Sequence, residues 1–335
     1  MLSDNHANKI DNKEKDHYAI GIDLGGSKIG IAVVSKTGVV KKYIKVPTES
    51  QKGKEFVINK IKQSIYKIIQ ESDVRMENIS GIGIGVPGQV NPDTGIVHLA
   101  PNLPGWENIS IRKILEKEFN LKIFVENDGN ATAWGEKLFG VARGHNEVVC
   151  LTLGTGIGGG LILNGKIYHG KASYAGEIGH IVVNKDGPEC NCGGYGCLET
   201  YSSATGIRNR IRNKFNRLKK LNSSHLYETD IDNTSLSEIF QKARAGDKMF
   251  SDIIQDAIEY LGVTIVSLIN IFNPEMIVMV GGMTNEGENL LKPLKNIVFN
   301  RAIKSNLKEL QITYGELGDY AGVMGSAALV WENNI

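Results

Sequence analysis

An excess of charge of either sign is what this sequence most lacks: 38 lysines and arginines stand against 37 acidic residues, a net charge of +1. No overall field therefore draws the chain to nucleic acid or to an anionic membrane. Long apolar runs are missing too. The longest uncharged one, Leu261 to Phe272, stops at Asn273-Pro274 and is too short to span a bilayer. The stretch Met1 to His17 is polar, has no signal-peptide core, and reads as a disordered tail. Only four cysteines occur, three of them crowded into Cys190, Cys192 and Cys197. That is no disulfide framework; it suits metal binding in a reducing compartment, so a cytoplasmic location is expected. No G-x-x-x-x-G-K-[ST] run is present, which excludes a P-loop enzyme.

Glycine, by contrast, is abundant: 39 in 335 residues, with 41% apolar residues to build a core. The length fits two domains. Apolar alternation predicts strands over Tyr18 to Leu24, Ile29 to Ser35 and Val39 to Val46, an antiparallel start. Phe56, Ile58, Ile61, Ile65, Ile68 and Ile69 recur at helical spacing, and Ile79 to Val86 reads as a buried strand. A second round follows: strand Lys122 to Glu126, a helix from Asn127, and strands Glu147 to Leu153 and Gly160 to Leu163. The segment Ser202 to Phe272 reads as mostly helical, on an apolar stripe from Phe250 to Phe272. Strand Met276 to Val280 then meets Gly281-Gly282 and a new helix, a turn suited to a ligand. Gly318 to Trp331 reads as a closing helix. The basic run Arg208 to Arg217 reads as a solvated helix face.

Two glycine turns carry chemistry. Asp23-Leu24-Gly25-Gly26-Ser27-Lys28 lies between strands, so its N–H groups can face phosphate oxygens while Asp23 holds a metal-bound water. By itself it could equally be an ordinary hairpin. Leu153-Gly154-Thr155-Gly156-Ile157-Gly158-Gly159-Gly160 contains G-x-G-x-x-G, but strand and turn follow where a dinucleotide site needs a helix. One such loop from each half would clamp a triphosphate. His180 with Cys190, Cys192 and Cys197 offers a closed tetrahedral Cys₃His set for zinc, structural because no position is left for water. Folding on that metal would bring Glu177 and Glu199 together, each able to accept hydrogen bonds from vicinal hydroxyls. Cys150, alone in an apolar strand, reads as buried filler.

Taken together, Glu177-Ile178-Gly179-His180, the C-x-C-G-G-x-G-C-x-E run from Cys190 to Glu199, and Glu126-Asn127-Asp128-Gly129-Asn130 resemble the ROK family of sugar kinases and repressors, nearest its bacterial glucokinase branch. The resemblance runs from about Tyr18 to the C-terminus; Ser27 replaces the more frequent Thr. It implies an α/β, two-lobed actin-like ATPase fold of the hexokinase and ribonuclease H kind, with ATP, Mg²⁺ and sugar in the interlobe cleft. The lobes would be residues 18–126 plus 318–335, and 127–317 with the zinc loop. Asn102, Asn127, Asp128, Glu177, His180 and Glu199 would contact the sugar. ATP would meet Asp23, Gly25, Gly26, Ser27, Lys28, Gly154, Thr155, Gly156 and Gly158, with Gly281 and Gly282 at the adenosine. Asp128 would be the catalytic base, since phosphoryl transfer needs one carboxylate for the hydroxyl proton; it could equally be a helix N-cap. Glu126 lies outside the family's catalytic position.

The implied reaction is ATP-dependent phosphorylation of a hexose, glucose first, because Pro101-Asn102-Leu103-Pro104-Gly105-Trp106 resembles the glucokinase loop. Kinases of N-acetylmannosamine, other amino sugars or fructose share most of these residues. A sugar-responsive repressor is the reading from another class; it expects a helix-turn-helix domain, for which Met1 to His17 is too short. The expected partners are hexose and nucleotide within a homo-oligomer, dimer or tetramer, with no nucleic acid and no membrane.

Overall fold

The computed structural model describes residues 17–220, 231 and 234–332. All but His17 of the expected tail lies outside the described residues. The chain opens with β1 (Tyr18–Leu24), β2 (Lys28–Ser35) and β3 (Val40–Pro47), paired antiparallel as expected. Helix α1 (Lys54–Glu71) buries Ile58, Ile61, Ile65 and Ile68, the spaced isoleucines. Next come β4 (Ile79–Val86), the short strands β5 (Gln89–Asn91), β6 (Ile96–Leu99) and β7 (Glu107–Ile109), helix α2 (Ile111–Phe119), and β8 (Ile123–Asn127). Strands β4 and β8 join β1 in parallel, giving a five-stranded sheet in the order β3-β2-β1-β4-β8. The sequence reading missed β5 to β7, because strands of three or four residues are too short to display a period, and it also missed α2.

A second round is built from α3 (Asp128–Phe139), β9 (Val148–Leu153), β10 (Ile157–Leu163) and β11 (Lys166–Ile167). Among the described residues, α4 (Leu198–Ser202), α5 (Ala204–Lys220), α6 (Leu236–Arg244) and α7 (Lys248–Phe272) follow. Asp247 caps α7 by accepting from Met249 and Phe250 N–H, and Asn273 ends it in the left-handed conformation, so Asn273-Pro274 terminates the helix as read. The chain closes through β12 (Met276–Val280), α8 (Glu288–Arg301), β13 (Gln311–Tyr314) and α9 (Ala321–Glu332). The second sheet runs β11-β10-β9-β12-β13. Two boundaries differ from expectation. A 3₁₀ turn, Gly282–Glu286, separates Gly281 from α8, and another, Gly318–Tyr320, precedes α9.

Helices α3 and α9 lie against each other between the sheets, α9 on β1, β4 and β2, and α3 on β10 and β9. Their backbones touch: a β-carbon at Gly325 would lie 1.7 Å from the Ala131 carbonyl oxygen, a distance no side chain tolerates. Each sheet has its own core. One joins β1, β2 and β4 to α1 and α2; the other joins β9, β10 and β12 to α5, α7 and α8. No helix among the described residues is long and apolar enough to cross a membrane.

Candidate active site

The junction of β8 and α3 is where the two halves meet. Asn127 is the N-cap of α3: its Oδ1 accepts from the N–H of Gly129 at 2.8 Å and of Asn130 at 3.1 Å. Capping therefore falls to Asn127, not to Asp128, which is already the first helical residue. Sequence reasoning misplaced the cap because Asn and Asp serve equally well and sit side by side. Asn127 Nδ2 also donates to the Gly88 carbonyl at 3.1 Å. Its second amide hydrogen remains for a ligand hydroxyl. Asp128 Oδ1 accepts the N–H of its neighbour Gly129 at 2.9 Å. Desolvation, opposed by that N–H and helped by the Glu177 charge, raises the Asp128 carboxyl to about 6.

The charges of Asp23 and Glu177 reach Asp128. Asp23, near the end of β1, is raised to about 7, first by burial and then by the Asp128 charge. The Gly25-Gly26 turn is closed by the Gly25 N–H donating to the Lys28 carbonyl at 2.9 Å, and Thr48 Oγ1 donates to the Gly25 carbonyl at 2.6 Å. A β-carbon on Gly26 would lie 3.2 Å from Asn102 Cβ, so the Asn102 loop abuts this hairpin. Ser27 and Lys28 have exposed side chains. The second hairpin is tighter than expected. Only Gly154-Thr155-Gly156 turns, and Gly158, Gly159 and Gly160 belong to β10. Gly160 is needed because α3 lies on it; a β-carbon there would be 2.7 Å from the Gly129 carbonyl oxygen. Helix α5 starts on this hairpin, with Ala204 and Thr205 N–H donating to the carbonyls of Gly154 and Thr155 at 3.0 and 3.2 Å. Gly281 packs on the Leu153 carbonyl, 2.6 Å from where its β-carbon would be.

Glu199 Oε2 accepts from Ile157 N–H at 2.8 Å, which sets this carboxylate beside the second hairpin. Burial and the Glu199 charge push Glu177 upward, against the pull of His180. Asp23, Asp128, Glu177 and Glu199 thus form a continuous run of acidic groups from one hairpin to the other. Beside it, the ligand atoms of His180, Cys190, Cys192 and Cys197 all lie within 4.8 Å of one another. His180 Nδ1 is 3.6 Å from Cys190 Sγ, and Cys192 Sγ is 3.7 Å from Cys197 Sγ. Zinc bonds of about 2.3 Å to sulfur and 2.0–2.1 Å to nitrogen give tetrahedral edges of about 3.5 to 3.8 Å, so the donor set fits the ion. Cys150 is buried in β9, and desolvation raises its thiol strongly.

Sequence reasoning missed His169. Its Nε2 lies 2.7 Å from Oε2 of Glu126, a residue only 3% exposed at the end of β8. Glu126 Oε1 accepts from Asn127 N–H at 2.8 Å and from Asn130 Nδ2 at 3.0 Å. The available signal was a carboxylate closing an otherwise apolar strand, Ile123-Phe124-Val125, which demands partners. Nothing around Tyr168-His169-Gly170 marked which residue would answer.

Comparison with known proteins finds relatives over most of the chain. The model of the ROK family matches residues 19–333. A glucokinase of Thermotoga maritima is 38% identical over 315 residues, covering 93% of this chain and 97% of that protein. A xylose repressor of Caldicellulosiruptor bescii is 34% identical, covering 93% of this chain and 77% of the repressor. Among solved structures, a ROK family glucokinase from Streptomyces griseus in complex with glucose and AMPPNP superposes with a TM-score of 0.79 at 32% identity, covering 94% of this chain and 99% of that one.

Proposed function

The chain belongs to the ROK family, and from that premise we propose that it is an ATP-dependent hexose kinase acting first on glucose, with Asp128 as its base. One observation carries the reading: a carboxyl raised to about 6 neighbours Asp23, which precedes the first glycine hairpin, and a run of carboxylates that reaches the second. A base that is ionised at neutral pH and still basic enough to take a hydroxyl proton suits this transfer. The similarity to glucokinases with 97% coverage of one relative supports glucose over amino sugars and fructose.

Asn127, Glu177, His180, Glu199 and Asn102 are assigned to the sugar. Asp128 accepts the proton as the hydroxyl oxygen bonds to the γ-phosphorus and the bond to the β–γ bridging oxygen breaks, releasing ADP. Gly25, Gly26, Ser27 and Lys28 and Gly154, Thr155, Gly156 and Gly158 are assigned to the phosphates, with the N–H groups of Gly25, Gly154 and Gly158 serving to close the hairpins, and Gly281-Gly282 to the adenosine. Asp23 and Asp128 are adjacent carboxylates with raised pKa, a surplus of negative charge that fits a dication. Mg²⁺, held near Asp23, would supply charge neutralisation at the phosphates. His180, Cys190, Cys192 and Cys197 would hold zinc, which would fix the loop carrying Glu199. A homo-oligomer in the cytoplasm, acting without nucleic acid, completes the assignment.

A coupled assay of ADP release across glucose, mannose, fructose, N-acetylmannosamine and N-acetylglucosamine tests it. Glucose should have the highest kcat/KM; a higher value for another sugar reassigns the substrate, and no turnover with any overturns the reading. The 34% identity to a repressor favours one check from the other class. A gel shift with genomic DNA fragments is expected to show no retarded band.

A further inference from the structure

We propose that Glu126 and His169 are a positioning pair that keeps the Asp128 junction in register with the loop carrying Glu177, so that both set the turnover rate. The proposal rests on the kinase reading for its kinetic consequence and on geometry for its structural one. Glu126 belongs to the first sheet, through β8, and His169 lies two residues after β11 of the second. Their 2.7 Å contact is a tie between the halves.

Each partner also organises its own side. The Glu126 carboxylate accepts three donors while 97% out of solvent: His169, the Asn127 backbone N–H and the Asn130 side chain. Two of these belong to the residues flanking Asp128-Gly129, so the carboxylate clamps the first turn of α3 from outside. His169 donates from Nε2, since a carboxylate oxygen only accepts. Its backbone carbonyl accepts from Ala175 N–H at 3.0 Å, closing the loop that reaches Glu177 two residues later. Displacing the imidazole would leave a buried carboxylate short of a donor and free both the helix turn and the loop. Misplacement of a reacting group by about 1 Å can cost about 10²-fold in rate. Both residues line a cavity of about 550 Å³, with Arg112, Lys122, Phe124 and Lys166, so a small solute can reach the pair without entering the proposed substrate site.

The test uses the full chain. His169→Ala should lower kcat about 10- to 100-fold and change the KM for glucose much less, because positioning acts on the transition state. His169→Gln, which keeps an N–H donor, should recover most of the loss, and imidazole at millimolar concentration should restore turnover to His169→Ala. Amide hydrogen exchange should quicken at residues 127–130 and 175–177 in His169→Ala and return towards the parent with imidazole. Turnover within about twofold of the parent, with unchanged exchange, overturns the proposal. So does an equal loss in the Ala and Gln variants with no response to imidazole, which would mark a packing role. Should His169→Ala fail to fold, His169→Asn against His169→Gln reads the same pair, since only the longer amide reaches Glu126. If the parent phosphorylates no hexose, the kinase reading falls, and hydrogen exchange alone decides the pair.

Discussion

Asp128→Asn separates proton acceptance from helix capping, because the cap belongs to Asn127 and is untouched by the change. Turnover should fall by at least about 10²- to 10⁴-fold, the range of general-base catalysis. Equilibrium sugar binding should change far less, since Asn still hydrogen-bonds a hydroxyl. Turnover within about tenfold of the parent would remove Asp128 as the base. The same substitution carries a stability consequence. An aspartate in the unfolded chain ionises near pH 3.8, whereas in the fold it keeps its proton up to about 6. Between those values the native state binds more protons, so this group's contribution to stability falls as pH rises through the window. Above about 6 the penalty is complete. Asp128→Asn should therefore raise the melting temperature of the ligand-free protein at pH 8, by on the order of 1 kcal/mol in stability after allowing for solvent in the cleft, and hardly at all at pH 3.5. Thermal melts at both pH values check it; a lower melting temperature at pH 8 contradicts it. In the parent, kcat/KM should climb with pH up to a plateau, on a limb set by the carboxyl near 6.

At the scale of elements, the loop from His180 to Cys197 and the contact of α3 with β10 carry the site. Purified protein should contain about one zinc per chain. Cys192→Ser should release it, lower the melting temperature and weaken glucose binding together, because the loop holding Glu199 loses its anchor. Folded protein that binds glucose normally without zinc would make the metal incidental. The α3–β10 contact is close, so a methyl at Gly160 must displace Ala133 and Gly129, the latter next to Asp128. Gly160→Ala should cost about 1–3 kcal/mol in denaturant unfolding, the usual range for overpacking. Its kcat should fall more than its glucose affinity. A variant of parental stability would mean that the sheet yields there.

For the whole molecule, the two sheets with separate cores and the helices α3 and α9 between them suit a hinged pair of lobes. Residues 18–126 with 318–335, and 127–317, are the proposed bodies. Neither glycine hairpin alone surrounds a triphosphate, so saturating glucose with a non-hydrolysable ATP analogue should draw them together. Small-angle scattering should then give a smaller radius of gyration. An unchanged value would mean a rigid, preformed cleft.

By itself the sequence determined the antiparallel start, the apolar helical stripe that ends at Phe272, the glycine turns and the histidine and cysteines suited to a metal. Each of these is a local matter of period, breaker or spacing, as with Asn273-Pro274 ending α7 or three cysteines in eight residues. Of the acid run, Glu177 and Glu199 were legible together from the metal loop, while Asp128 joined them only through the family resemblance. Only tertiary structure decided that Asn127 caps and Asp128 does not, because the difference lies in backbone angles at the strand end. It alone shortened the second hairpin to Gly154-Thr155-Gly156, since Gly158 to Gly160 are glycines to make room for neighbours, not to turn. It alone joined Glu126 to His169, 43 positions apart, because a buried carboxylate takes its donor from whatever chain the fold brings near.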